Sequence, residues 1–139
     1  MPTFGRISSI VASRGALTDV KTKQARILVV DDEPGVLDLL RELLTDKGYD
    51  VMAVSTGAAA LAAVPKFLPH VLLVDISMPG LSGPQVLEAL RGSGSKIPVI
   101  AMSGLVAGPT EGFYAFLGKP FDHPLLLRTL ASALGRDAH

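Results

Sequence analysis

Short apolar runs that end in polar residues recur along the chain, and their spacing lays out a fold. Val71 to Ile76 is too short for a helix and too continuously apolar for a half-exposed strand. It predicts a central parallel strand with both faces buried. Met78-Pro79-Gly80 then turns the chain, which leaves Asp75 at the strand's C-terminal end. Arg26 to Val30 has the same form and runs into Asp31-Asp32-Glu33. Ile97 to Met102 delivers Ser103, and Ala115 to Gly118 delivers Lys119-Pro120. Tyr49 to Ser55 reads as a further strand.

Helical patterns separate the strands. Pro34 suits a first helical turn, and Val36, Leu37, Leu40, Leu43 and Leu44 mark one apolar face that Lys47-Gly48 closes. Ala58 to Val64 predicts a short alanine-rich helix stopped by Pro65. Ser82 with Gln85 forms a capping box, with Val86, Leu87 and Leu90 facing inward and Gly92-Ser93-Gly94 ending the helix. Asp122 caps a last helix that buries Leu126, Leu127, Leu130 and Leu134. Strands alternating with helices through right-handed crossovers predict an α/β fold, a doubly wound five-stranded parallel sheet of flavodoxin-like order.

Composition narrows the field. The chain has 139 residues, 48% hydrophobic and 19% charged, which suits one domain with a proper core. Cysteine is absent, so disulfides and thiolate metal sites are excluded, and a cytoplasmic setting is expected. No apolar run approaches the ~20 residues of a membrane span. The net charge of zero is uneven: residues 1–26 hold five basic residues and one acid, and the remainder holds eight basic and twelve acidic residues. The main body is therefore mildly acidic, with no broad basic surface for nucleic acid. Residues 1–24 read as a flexible basic arm, 25–135 as the domain and 136–139 as a tail.

Parallel strands would bring Asp31, Asp32, Asp75, Ser103 and Lys119 to one rim of the sheet, the edge where open α/β sheets bind ligands. Three crowded carboxylates repel one another unless a divalent cation or a lysine sits among them. Singly, each residue has a plainer reading: Asp31 or Asp32 as a helix cap, Ser103 as a loop serine, Lys119 as a surface charge. Asp75 resists one, because burying an unpaired carboxylate is costly. Glu33 and Glu88 read as helix-surface charges, and His70, His123 and His139 lack metal-ligand spacing.

Val29-Val30-Asp31-Asp32-Glu33, Asp75 through Met78-Pro79 to Gly83, Ser103-Gly104 and Lys119-Pro120-Phe121 together resemble the receiver domain of two-component response regulators (CheY-like family), over Arg26 to Leu134. The resemblance implies that Asp75 is the phosphoacceptor and that Mg²⁺ is held by Asp31, Asp32, Asp75 and the carbonyl of Ser77. It further implies that Lys119 and Ser103 contact the phosphoryl group, that Lys119-Pro120 is cis, and that Phe116 stands in the place of the switch aromatic beside Ser103. The implied phosphodonor is a histidine kinase or a histidine phosphotransfer protein, and the output is contact with a downstream protein, since the chain ends soon after the last helix. No turnover is implied beyond self-phosphorylation and autodephosphorylation.

One departure stands out. Ser103 and Lys119 are sixteen positions apart, with Gly104, Gly108, Pro109 and Gly112 between them. Glycine and proline disfavour helix, so a shortened or irregular fourth helix is expected, with loop ordering across residues 104–114 in place of a sliding helix. Two rivals remain: a receiver-like adaptor that works without phosphorylation, and an aspartyl-phosphate phosphohydrolase. The second wants another acid two residues after the nucleophile, where this chain has Ser77. Nucleotide binding would want a glycine-rich loop after the first strand, and none follows it.

Overall fold

A computed structural model describes residues 24–104 and 111–135. Its strands are β1 (Arg26–Val30), β2 (Asp50–Val54), β3 (Val71–Asp75), β4 (Val99–Ser103) and β5 (Ala115–Gly118). The helices are α1 (Pro34–Asp46), α2 (Gly57–Phe67), α3 (Gly83–Gly92) and α4 (His123–Ala133). The five strands form one parallel sheet in the order β2-β1-β3-β4-β5. This is the doubly wound, flavodoxin-like sheet the sequence predicts.

The continuous apolar runs are explained by burial on both faces. Ile27, Val29, Leu73, Ile100 and Met102 pack on one face against Leu37, Leu40 and Leu44 of α1 and Leu126 and Leu130 of α4. Leu28, Val30, Leu72, Val74 and Val99 fill the other face with Ala60 of α2 and Val86, Leu87 and Leu90 of α3. Alternation along each strand thus feeds two cores at once, and neither face has room for a charge.

Helix ends follow their local chemistry. The Ser82–Gln85 capping box forms in both directions, and Asp122 Oδ1 accepts from Leu125 N at 3.1 Å. Gly48 (φ +94°) takes the chain out of α1. One expectation is corrected: α2 runs through Pro65 to Phe67. Pro65 removes the one backbone donor that would bond Leu61 O, but the turn beyond it still closes. Leu68 N still bonds Val64 O across it at 2.9 Å, and Leu68 itself ends the helix at φ +53°.

Among the described residues no helix joins β4 to β5, in line with the shortened fourth helix. Glu111-Gly112 is a turn, with Gly112 at φ +85°. Residues 105–110, most of the basic arm (1–23) and the tail (136–139) lie outside the described residues.

Candidate functional site

Parallel register assembles the site from four strand ends. Asp75 lies beside Met102 and Ser103 beside Gly118. Lys119 N then donates to Ser103 O at 2.8 Å, and Ile76 N to Met102 O at 3.0 Å, so the ladder continues one residue past the strands. Asp31 leaves β1 pinned to β2 by its N–H on Val54 O at 3.2 Å. Asp31, Asp75 and Ser103 are all buried, while Asp32 is exposed at the mouth. Phe116 is half-buried on β5, opposite Ala101 in register. The Lys119-Pro120 peptide is cis.

Each buried carboxylate is braced by its own loop. Asp31 Oδ1 accepts from Glu33 N at 2.9 Å, and Asp75 Oδ1 accepts from Ser77 N at 3.0 Å. These side-chain-to-backbone turns fix the two carboxyl groups and leave the second oxygen of each facing inward. Lys119 Nζ occupies the space between, 2.6 Å from Asp31 Oδ2, 3.1 Å from Glu33 Oε1 and 3.2 Å from Asp75 Oδ2. Its bonds to Glu33 and Asp75 are aligned hydrogen bonds. Asp31 Oδ2 is close enough for an ion pair but lies off hydrogen-bond angle, so this buried oxygen has no aligned donor.

Glu33 is exposed, as the sequence reading has it, but it is not an unpaired surface charge. Its carboxylate pairs with Lys119 across 86 positions of chain. Glu88 is exposed on α3 as expected.

Burial pushes the Asp31 carboxyl above the usual carboxylate range; the adjacent Lys119 ammonium and the Glu33 N–H offset only part of this, and the charge on Asp75 adds to the rise. Burial also pulls Lys119 toward neutrality, but its ion pairs with Asp31, Glu33 and Asp75 outweigh burial and hold its pKa above the ordinary lysine range. The ammonium therefore stays charged at neutral pH.

A testable consequence follows for Asp31. A folded-state pKa above the unfolded one stabilises the fold fully only below the unfolded pKa. That contribution is lost as pH rises through the folded value. Ionised Asp31 thus costs stability at neutral pH without a cation. Asp31→Asn keeps an oxygen for Glu33 N, and Lys119 retains two carboxylates. The expected result in metal-free buffer at pH 7 is a melting temperature higher by about 3 °C, the shift ~1 kcal/mol produces at this size. The variant should also lose most of the wild type's gain in stability on adding Mg²⁺. A melting temperature below wild type in metal-free buffer would show that the Lys119 pair dominates over burial.

The residues fit a hard divalent cation. One oxygen from each of Asp31, Asp32 and Asp75 lies within 4.8 Å of the others, and a single lysine neutralises only one of the three charges. An all-oxygen carboxylate set suits Mg²⁺ or Ca²⁺, and Asp31 Oδ2 is a buried acceptor with no aligned donor.

The fold and this acidic rim define a doubly wound α/β domain with a carboxylate cluster at the C-terminal edge of its sheet, and comparison with known proteins makes the class specific. The chain belongs to the response regulator receiver domain family, whose pattern it matches over residues 27–131. It is 38% identical over 117 residues to the transcriptional regulatory protein KdpE of Mycobacterium tuberculosis, covering 80% of this chain and 51% of KdpE. It is 31% identical over 122 residues to the DNA-binding response regulator MtrA of Mycolicibacterium smegmatis, covering 84% of this chain and 53% of MtrA. The chain thus spans about half the length of the curated relatives it matches. Among solved structures it is similar to the chemotaxis response regulator CheY4 of Vibrio cholerae, with TM-score 0.74, 28% identity and coverage of 81% of this chain and all of CheY4. It is equally similar to the response regulator TrrA of Thermotoga maritima in complex with Mg²⁺ and BeF, with TM-score 0.74, 28% identity and coverage of 80% of this chain and all of TrrA. Among the described residues no helix is long and apolar enough to cross a membrane.

Proposed function

We propose that Asp75 accepts a phosphoryl group from the phosphohistidine of a partner histidine kinase or phosphotransfer protein, and that the phosphorylated domain signals by contact with another protein. The observation that carries this reading is the placement of Asp75. It is a nearly buried carboxylate ending a central strand, 3.2 Å from Lys119 Nζ and clustered with two more acids. Asp31 and Asp32, with Asp75 and the carbonyl of Ser77, would hold Mg²⁺. When bound, the ion neutralises charge on the transferring oxygens.

The chain's own groups supply the rest. The Asp75 carboxylate forms the new O–P bond as the P–N bond to imidazole breaks, and the imidazole keeps the bonding pair. Lys119, already charged and half-sequestered, shifts its hydrogen bond from Asp75 to the incoming phosphoryl oxygens. The Ser103 hydroxyl, on the neighbouring strand, would donate to another of those oxygens, and Phe116 is the aromatic that would respond. Burial of Asp31, Asp75 and Ser103 keeps these interactions strong by excluding water. The same reading puts the domain in the cytoplasm, where it would meet its kinase.

The test is the intact mass of the protein after incubation with acetyl phosphate and Mg²⁺. One added phosphoryl group is expected. No addition under conditions that keep the protein folded would favour the phosphorylation-independent adaptor.

A further inference from the structure

We infer that Glu33 is a positioning residue: it tethers Lys119 in its resting place and competes with the phosphoryl group for the ammonium. The inference rests on the reading of Asp75 as acceptor and names a regulator of that same site.

The starting point is a local rule that the chain breaks. Glu33 is the N-cap of α1, with extended backbone (φ −97°, ψ 114°) followed by Pro34. Ser, Thr, Asp and Asn serve best there, because a short side chain reaches the free N–H groups of the first turn. Glu33 makes no side-chain cap bond. Its backbone supplies the helix connections instead: the carbonyl accepts from Val36 N and Leu37 N at 3.1 Å each, and the N–H braces Asp31. The side chain is therefore surplus to the helix, and a broken local rule without structural gain points to the site.

That side chain is 63% exposed and still reaches Lys119 Nζ at 3.1 Å in an aligned hydrogen bond. Lys119 thus has three anionic neighbours of unequal freedom. Asp31 and Asp75 are buried and each is held by a backbone N–H. Glu33 sits on a rotatable stem in solvent, and its carboxylate makes no cap bond to α1. A phosphoryl group on Asp75 needs the same ammonium, and Glu33 is the partner able to release it. Glu33 makes phosphoryl binding weaker than the buried residues alone would allow.

Beryllofluoride, added with saturating Mg²⁺, is the probe. Glu33→Gln keeps size and backbone while removing the charge, so it is expected to fold as wild type and bind beryllofluoride about three-fold more tightly, a gain within the range of an exposed ion pair. The gain should shrink at high salt. A double-mutant cycle with Lys119→Gln separates tethering from plain charge repulsion. If Glu33 acts through Lys119, the gain vanishes in the Lys119→Gln background; an equal gain there overturns the inference. A second readout needs no ligand: the Lys119 Nζ resonance should move on Glu33→Gln, and an unmoved resonance overturns the tether. Asp75→Asn locates any failure. Beryllofluoride binding that survives Asp75→Asn sinks the acceptor reading and this inference with it. Binding that depends on Asp75 but does not tighten in Glu33→Gln sinks this inference alone.

Discussion

Replacing Asp75 with asparagine is expected to reduce phosphoryl incorporation from acetyl phosphate to background while leaving the fold intact. The carboxylate is the nucleophile in the proposed transfer, and a carboxamide of the same size cannot attack phosphorus to give a stable acyl phosphate. The substitution is otherwise gentle. Asn retains an oxygen to accept from Ser77 N, which Asp75 Oδ1 holds at 3.0 Å. Lys119 keeps Asp31 and Glu33, at 2.6 and 3.1 Å. One negative charge fewer in a crowded, buried cluster removes repulsion as well as attraction. Loss of labelling with an unchanged circular dichroism spectrum would therefore be a chemical loss, not an unfolding. Equal labelling of wild type and Asp75→Asn would move the acceptor to Asp31 or Asp32, and the site would need reassignment. Omitting Mg²⁺ from the wild-type reaction should also cut labelling sharply, because a lone ammonium leaves two of the three clustered carboxylates unneutralised.

Much of this arrangement is legible in the sequence because both-face burial writes itself as uninterrupted apolar runs. Val71 to Val74 are all fully buried, and a run that ends abruptly in Asp75 marks the sheet edge by itself. Right-handed crossovers then force the strand ends onto one rim, so Asp31, Asp75, Ser103 and Lys119 meet as a consequence of topology. The features that escape the sequence do so for equally physical reasons. Pro65 suggests a helix end because it removes a helical donor, but that loss is a single bond, and Leu68 N still closes the next turn on Val64 O. Glu33 reads as a surface charge because its partner lies 86 positions away, beyond any periodicity. A signal is nevertheless present: glutamate is a poor choice for the residue before a helix-opening proline. The close approach of Gly57 to Leu81 and Val86 carries no pattern at all, since only assembled tertiary structure creates it.

Gly83→Ala is expected to be the most damaging single-methyl change near the site. Gly83 opens α3, and its amide lies 3.4 Å from Ile76 O, just past the end of β3. A Cβ there would stand 2.7 Å from Ile76 Cα, 3.0 Å from Asp75 O and 3.3 Å from Ile76 Cβ. The first two of these are backbone atoms, which cannot rotate away as a side-chain tip can. Either α3 lifts from the sheet, loosening Val86, Leu87 and Leu90 from their core, or the end of β3 bends and carries Asp75 with it. Overpacking of this kind costs about 3 kcal/mol, which lowers the melting temperature by on the order of 10 °C. Labelling of Asp75 should slow even at temperatures where the variant remains folded, because its carboxylate is aimed by the backbone being displaced. Gly35→Ala provides the contrast. Gly35 lies in the first turn of α1, where a methyl would meet nothing within 4 Å, and alanine is the better helix former by up to about 1 kcal/mol. That variant should melt at or above the wild-type temperature and label normally. If the two variants melt alike, close packing at Gly83 does not set the position of α3 against β3, and the placement of Asp75 must depend on its Ser77 bond and its strand ladder alone.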